Sequence, residues 1–277
     1  MKRATETVPD ASKTAVKVPM LLCEDDPYPV GVRNGEAISE FLIACEHAGN
    51  AVPASLKNLG LDKTELERHI AIDIGSLGVS ELVSDILQAP PVYQRFSRLV
   101  AECSRVSDDD KMFAVVSDGN FVPGNKGLSE ADRQQRIDEI VTPYQNEITR
   151  RLDDHKKTGR EAIFVSMHSF TQSLRSRPTE RPWHGGVCVG NDDRFTNHVV
   201  TALRADGDIL VGFNEPYDVD MAREYTVPIH AERRGLPSVQ FEIRQDLIAD
   251  SSGQKAWAIR VAKSLQRARD TFLARFA

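Results

Sequence analysis

Three short apolar runs in this chain lead directly into histidines or a glutamate. The runs are 41–45, 162–165 and 238–241, and they lead into His47, His168 and Glu242. Apolar runs of this length predict buried strands. In open α/β sheets, ligands bind at the carboxyl ends of the strands. Two histidines and a glutamate at such ends predict a metal site with a general base beside it, and therefore an enzyme.

The rest of the chain alternates in the same way between strand and helix patterns. Further strands are predicted at 92–96 continuing into 99–103, at 186–189 and at 209–211. Amphipathic helical spacing occurs at 76–87, from Ser129 onwards, at 195–203 and at 257–272. This alternation predicts one α/β domain with a largely parallel or mixed sheet. We assign residues 31–277 to this domain and the polar residues 1–30 to a loose N-terminal arm.

Composition excludes several classes of function. The net charge is −6 and no stripe of lysine and arginine is present, which argues against a nucleic-acid partner. The apolar runs are far shorter than the roughly 20 residues that span a bilayer, which argues against a membrane partner. Residues 4–17 contain no apolar core of a signal peptide, so we expect a cytoplasmic protein. The four cysteines form no C-x-x-C pair and do not predict a thiolate metal site.

A hydrolytic zinc site typically has three protein ligands and leaves one position to water. His47 and His168 are the candidate nitrogen ligands. Asp73 is the preferred third ligand, although an aspartate just before a helix is often an N-cap instead. Glu46 is a weaker alternative, because neighbours on an extended strand point to opposite faces. Glu242, at the end of a buried run, is the predicted general base.

Two irregular stretches follow strands of the predicted site. Residues 107–129 are rich in Asp, Gly, Asn and Pro, and residues 173–183 contain three arginines. Long loops in compact domains are often functional, so we interpret both as flaps over one cleft. His230 precedes the Glu242 strand and is a candidate for contact with the substrate.

Several blocks of the sequence resemble one enzyme family. Residues 45–53, Cys-Glu-His-Ala-Gly-Asn-Ala-Val-Pro, look like the C-E-H-A-S-N-x-V-P signature of the N-formylglutamate amidohydrolase family. Residues 71–76 resemble its D-x-G-A segment, residues 97–105 its S-R-L-V-x-D-x-N-R segment, and residues 168–171 its H-S-F-T. Later blocks follow in order at 214–217, at His230 and at 241–248. The resemblance covers roughly residues 41–248.

This resemblance implies a phosphorylase/hydrolase-like three-layer fold, with a mixed, mostly parallel sheet and helices on both faces. It implies a zinc-dependent amidohydrolase that cleaves the amide of a small N-acyl acidic amino acid, N-formylglutamate or a close analogue, in amino-acid catabolism. One Zn²⁺ per chain is expected, although imidazole and carboxylate ligands also suit other divalent ions. The related zinc carboxypeptidases have a metal-binding block similar to residues 168–172 and a catalytic glutamate in the position of Glu242. In the related cell-wall amidases, an acid opening the next helix holds the position of Asp73.

The resemblance also implies a set of substrate-binding residues. Arg98 and Arg105 are the natural clamps for substrate carboxylates, because guanidinium groups bind carboxylates in bidentate fashion. The other candidates come from the later blocks: Asn214, Tyr217, His230 and Arg244. Glu102 and Ser104 depart from the family's aspartate and asparagine, and the second change puts the exact formylglutamate specificity in question.

Two other functions remain compatible with the sequence. A metallopeptidase or cell-wall amidase would act on a larger substrate in an open groove. A ligand-binding protein that has lost catalysis would retain the same scaffold, and the departures at Glu102 and Ser104 favour it. The intact His47, Asp73, His168 and Glu242 argue against that alternative. The sequence predicts no oligomeric state.

Overall fold

A seven-stranded sheet forms the centre of the protein. The computed structural model describes residues 20–37 and 39–274. The strands of the sheet are β1 (Val30–Val32), β2 (Phe41–Cys45), β3 (Pro91–Gln94), β6 (Ile163–Phe170), β7 (Gly185–Cys188), β8 (Val211–Phe213) and β9 (Ser238–Arg244). Their order is β1-β3-β2-β6-β9-β7-β8. The two remaining strands, β4 (Val116–Ser117) and β5 (Asn120–Phe121), form a separate short hairpin.

The sheet is mixed but mostly parallel. Strands β3, β2, β6 and β9 run parallel to one another, and β7 runs parallel to β8, whereas β1 is antiparallel to β3 and β7 is antiparallel to β9. The central strands are buried on both faces; for example, all eight residues of β6 are buried. This explains why these strands appear in the sequence as continuous apolar runs.

Helices cover both faces of the sheet. They are α1 (Lys63–Leu66), α2 (Ser76–Leu87), α3 (Glu130–Arg136), α4 (Thr142–Lys157), α5 (Thr196–Arg204) and α6 (Ser251–Leu273). One apolar cluster joins α2, α5 and α6 to residues such as Phe41 and Phe241, and a second joins α4 to residues such as Leu42 and Phe164. Alternate residues of a strand thus enter opposite cores. The predicted α/β architecture of three layers is confirmed.

Several boundaries differ from the prediction. Residues 99–103 form buried turns rather than a strand, because the Ser97 hydroxyl accepts a hydrogen bond from the Leu99 amide at 3.2 Å and turns the chain. Strand β6 continues to Phe170 and β9 to Arg244, past the predicted ends at residues 165 and 241. As a result, His168 and Glu242 lie within their strands. Helix α6 begins at Ser251, where Asp250 caps it.

The structure also bears on the predicted N-terminal arm. Residues 1–19 lie outside the described residues, but Leu21 is buried. The amides of Leu21 and Leu22 donate to the Glu139 carboxylate at 2.9 and 3.0 Å. These contacts anchor Leu21 and Leu22 to the domain, and the assignment of residues 1–30 to an N-terminal arm stays a prediction. Within the described residues, no helix has the length and apolar character needed to cross a membrane.

Candidate active site

The side chains of His47, Asp73 and His168 converge on one point at the carboxyl end of β2 and β6. One ligand atom from each lies within 4.8 Å of the others, so the three residues can hold a metal ion. The Asp73 Oδ2 atom lies 3.1 Å from His47 Nδ1 and 2.9 Å from His168 Nδ1, and the two Nδ1 atoms are 3.2 Å apart. All three groups are buried. The arrangement presents two nitrogen atoms and one oxygen atom to a single position.

The opposite nitrogen of each histidine is held by an acid. His47 Nε2 donates to Glu102 Oε1 at 2.6 Å. His168 Nε2 lies 3.2 Å from Glu46 Oε2 and 3.0 Å from Ser166 Oγ, and Ser166 in turn donates to Glu46. These contacts favour a proton on each Nε2, which leaves both Nδ1 lone pairs directed at the shared position. Glu46, the weaker candidate for a ligand, thus lies on the far side of His168.

Asp73 does not cap the helix that follows it. Its backbone oxygen, not its carboxylate, accepts from the Ser76 hydroxyl at 2.8 Å, and Gly75 takes the N-cap position with φ of 81°. The carboxylate instead accepts from the Ser169 amide at 3.2 Å and faces the two histidines. This frees Asp73 Oδ2 to act as a ligand atom.

The electrostatics of the site favour a bound cation. Burial opposes the charge on Asp73, but His47 and His168 outweigh it and hold the pKa of this carboxyl well below its usual value. Burial also opposes the charge on His168, yet Glu46 and Asp73 raise its pKa well above the usual value. The carboxylates of Glu46 and Asp73 therefore favour positive charge at this point of the structure. Protons on the histidines supply that charge when no cation is bound, and a divalent ion can supply it instead.

Glu242 lies beside this cluster. Its Cα pairs with that of His168 across β6 and β9. Glu242 is 5% exposed, and its Oε2 atom has no hydrogen-bond partner among the described residues. Burial, with Asp73 adding to it, raises the pKa of Glu242 to about 7. A carboxylate in this state is suited to accept and return a proton near neutral pH.

Glu102 connects the histidine cluster to two further side chains. Its Oε2 atom accepts from Arg98 Nε at 2.7 Å, and its Oε1 atom accepts from the Ser104 hydroxyl at 2.9 Å. Arg98 also reaches Asp73 Oδ1 at 3.3 Å. The residues that depart from the family pattern, Glu102 and Ser104, are therefore bonded to each other. Arg98, predicted to bind a substrate carboxylate, uses some of its hydrogen-bond donors for Glu102 and Asp73.

A cavity of about 320 Å³ opens above these groups, a volume that suits a small molecule. Arg105 and Tyr217, both predicted to bind substrate, line it together with Arg98. The wall also contains polar side chains to which the sequence analysis gave no role, among them His69, Lys111, Asp218, Asp220, Arg223, Glu224, Thr226 and Gln240. Thr226 is buried, and its hydroxyl has no hydrogen-bond partner among the described residues. A buried hydroxyl in this state favours a ligand or water as its partner.

The structure does not bring Asn214, Arg244 or His230 to the cavity. The Asn214 side chain accepts from the Val189 amide at 2.9 Å and so joins the loop after β8 to β7. Arg244 pairs with Asp246 at 2.8 Å and donates to the Trp183 carbonyl. His230 is 1% exposed and bonds Gln145 Oε1 at 2.5 Å in the core beside α4. These partners keep the three side chains away from the predicted site.

Burial of His230 predicts a pH dependence of stability. Burial, with Arg234 adding to it, lowers the pKa of His230 to about 4. Between pH 6.5 and 4, the unfolded chain binds a proton that the folded chain does not, so the free energy of unfolding falls as the pH falls, by about 3 kcal/mol in total. Above pH 6.5, His230 does not contribute to the pH dependence of the free energy of unfolding.

We expect His230→Gln to remove this part of the acid sensitivity, because the amide can donate to Gln145 without titrating. Urea unfolding of metal-stripped protein at several pH values between 4.5 and 7.5 measures it. As the pH falls, the free energy of unfolding should decrease less in the variant than in the wild type. Parallel curves for the two proteins would contradict the assignment.

The chain is similar to proteins of one family. A family model described as N-formylglutamate amidohydrolase matches residues 39–249. The solved structure of gene product Atu2144 from Agrobacterium tumefaciens is 32% identical in sequence and has a TM-score of 0.86, covering 91% of this chain and 98% of that one. An N-formylglutamate amidohydrolase from Ralstonia eutropha JMP134 shares the fold at 17% identity and a TM-score of 0.61, covering 88% of this chain and 98% of that one. No curated protein matches the chain.

Proposed function

Because this chain belongs to the N-formylglutamate amidohydrolase family, we propose that it hydrolyses the amide of N-formylglutamate or a close N-acyl acidic analogue, with Zn²⁺ held by His47, Asp73 and His168. The observation that carries the proposal is the position of Glu242 beside the three converging side chains. The family itself indicates a hydrolase of the amidohydrolase type. The metal, the acyl group and the amino acid are the proposed parts.

The donor set fits a zinc ion. Two imidazole nitrogens and one carboxylate oxygen are ligands that catalytic zinc accepts, with a further position left for water. The two Nδ1 atoms and Asp73 Oδ2 lie 2.9 to 3.2 Å from one another. At these distances their lone pairs repel one another unless protons or a cation lie between the atoms. Acid partners on both Nε2 atoms are the usual support for histidines that bind metal.

The ion would polarise the acyl carbonyl and lower the pKa of a water molecule. Glu242 takes the proton of the attacking water as the new carbon–oxygen bond forms. The same carboxyl then returns this proton to the amide nitrogen as the carbon–nitrogen bond breaks. The products are the carboxylic acid, formate for a formyl group, and the amine of the amino acid. Because Glu242 must start ionised, kcat/KM should fall at pH values below the pKa of Glu242.

The wall of the cavity has charged and neutral side chains, which would bind different parts of the substrate. Arg105 lies 3.9 Å from Asp109 and retains donors for a substrate carboxylate, with the exposed Lys111 nearby on the same wall. Thr226 and Gln240 are neutral, and Gln240 lies two residues before Glu242 on the same face of β9. We assign the substrate carboxylates to Arg105 and Lys111, and the polar atoms of the amide to the neutral side.

Arg105→Gln tests the carboxylate assignment. Loss of a charge-assisted hydrogen bond should raise KM for N-formylglutamate by about tenfold to a hundredfold while kcat changes little. Arg223→Gln is the matched control, because Arg223 lines the same cavity but is more than half exposed and pairs with Asp220. Steady-state measurement of formate release gives both constants. An unchanged KM in the Arg105 variant would place the carboxylates elsewhere.

The function is tested by metal analysis and turnover on the same purified protein. We expect about one zinc per chain and release of free amine from N-formylglutamate that a chelator abolishes and zinc restores. A panel of N-formyl and N-acetyl amino acids then ranks the acyl group and the side chain. Stoichiometric zinc without turnover on any member would contradict the proposed substrate class. Failure to bind zinc would contradict the proposed metal site.

A further inference from the structure

The arginine-rich stretch after β6 is fixed at both of its ends. We call residues 173–183 the strap. It is irregular along its length, and most of its side chains are exposed. Its first half contacts the β4–β5 hairpin, and its second half contacts Tyr217 at the rim of the cavity. The contacts at each end are specific and differ in kind.

The first anchor is Asp118, at the tip of the hairpin. Asp118 and Gly119 form the two-residue turn, with φ of 44° and 78°, as expected for a type I′ turn. The Asp118 carboxylate accepts from the Ser176 amide at 2.9 Å, the Ser176 hydroxyl at 2.8 Å and the Arg175 amide at 3.1 Å. Its side chain is only 3% exposed. The turn thus presents one buried carboxylate to the backbone of the strap.

Asp118 also contacts the segment that borders the cavity. It lies 3.2 Å from Arg68 Nη2 and 3.2 Å from His69 Nε2. Arg68 in turn bonds the side chain of Asn120 at 2.9 Å. A hairpin with strands of two residues is not stable by itself, so its position depends on these contacts. Asp118 therefore joins the hairpin, the strap and His69 in one network.

The second anchor is Arg181. Its guanidinium donates to the Tyr217 hydroxyl at 2.8 Å and stacks over the same ring at 4.9 Å from the centroid. It also donates to the Thr171 carbonyl at 3.3 Å. At the end of the strap, the carbonyl of Trp183 accepts from Arg244.

Three residues that line the cavity contact the anchors of the strap. His69 lies 3.2 Å from Asp118, and Thr171 and Tyr217 accept hydrogen bonds from Arg181. We propose that Asp118 is a specificity-determining positioning residue: by clamping the strap, it fixes the rim at His69, Thr171 and Tyr217 and so limits the cavity to substrates the size of one N-acyl amino acid. The size class rests on the proposed amide hydrolysis.

The effect of Asp118 on the strap can be measured without an activity assay. Of the three arginines in the strap, Arg177 and Arg181 precede prolines, which prevents cleavage by trypsin, whereas Arg175 precedes Ser176. The bond between Arg175 and Ser176 is flanked by the two amides that Asp118 holds. In Asp118→Ala, the fragment that begins at Ser176 should appear at least about tenfold faster than in wild type, because losing charge-assisted hydrogen bonds of this kind permits local opening.

The specificity readout compares two substrates in the same variant. The ratio of kcat/KM for an N-formyl dipeptide with N-terminal glutamate to that for N-formylglutamate should rise at least about tenfold in Asp118→Ala. Ser176→Ala removes one of the bonds and should shift both readouts in the same direction by less. Asp153→Ala is the matched control: it breaks the ion pair between Asp153 on α4 and Arg234, and it should shift neither readout.

The outcomes are distinguishable. A folded Asp118→Ala protein with unchanged cleavage at Arg175 would overturn the clamp. Faster cleavage with an unchanged substrate ratio would overturn the role in specificity while the proposed hydrolysis stands. A wild-type protein with no turnover on either substrate would refute the proposed function and the size class together. Circular dichroism and the thermal midpoint establish that each variant is folded.

Discussion

Replacing Glu242 with glutamine should give a folded protein that binds metal but has lost at least about a hundredfold in kcat, the usual contribution of a general base. The substitution keeps the shape of the side chain and removes its ability to accept a proton. Glu242 Oε2 has no hydrogen-bond partner among the described residues, so the substitution breaks no hydrogen bond at this atom. Above pH 7, where the buried carboxylate is ionised, the neutral amide should leave stability unchanged or increase it.

Three measurements on Glu242→Gln separate catalysis from structure: kcat for amine release, zinc content and the thermal midpoint. Glu224→Gln is the matched control, because Glu224 lines the same cavity and burial also raises its pKa. The control should retain kcat within about tenfold. Equal losses of kcat in the two variants would show a general effect on the cavity, and full activity of Glu242→Gln would refute its role as base.

Asp73→Asn should weaken zinc binding more strongly than any change to the residues behind the histidines. It removes an anionic ligand atom that faces both Nδ1 atoms, while the amide preserves the volume of the side chain. Glu46→Gln and Glu102→Gln remove acid partners of the Nε2 atoms but no ligand atom, and the loss of such a partner typically costs tenfold to a hundredfold in metal affinity. We therefore expect the affinity of Asp73→Asn to fall by more than about a hundredfold, with turnover lost at limiting zinc.

Competition with a chromogenic chelator measures the zinc affinity of all three variants in the same buffer. The order of the losses is the decisive result. A larger loss in Glu46→Gln than in Asp73→Asn would show that Glu46 is the third ligand. Equal small losses in all three variants would indicate that the metal binds elsewhere.

The sequence predicted the elements that carry the site because their signals are local. Apolar runs at 41–45, 162–165 and 238–241 correspond to β2, β6 and β9, and the amphipathic stripe at 76–87 corresponds to α2. Polar residues at the ends of parallel strands in one sheet must lie near one another. This explains why the proximity of His47, His168 and Glu242 was predictable without coordinates.

The remaining features depend on contacts between residues distant in sequence. The assignment of Glu102 as the partner of His47 needed the turn at 97–103, which has the apolar composition of a strand. His230 lies twelve residues before Glu242 in sequence, yet its side chain points into the core beside Gln145. Thr226 has no motif to mark it, and only its burial without a partner identifies it. Side-chain direction at such positions is fixed by tertiary packing.

The pairing of β6 with β9 has a consequence for how correctly folded protein is counted. Side chains alternate along a strand, so a slip of one residue would replace Glu242 beside His168 with Phe241 or Ile243 and bury the carboxylate against α2 and α6. Secondary structure content would hardly change in such a molecule. In a refolding experiment, recovered far-UV signal therefore counts every chain with strands and helices, whereas recovered turnover counts those whose two central strands are in register.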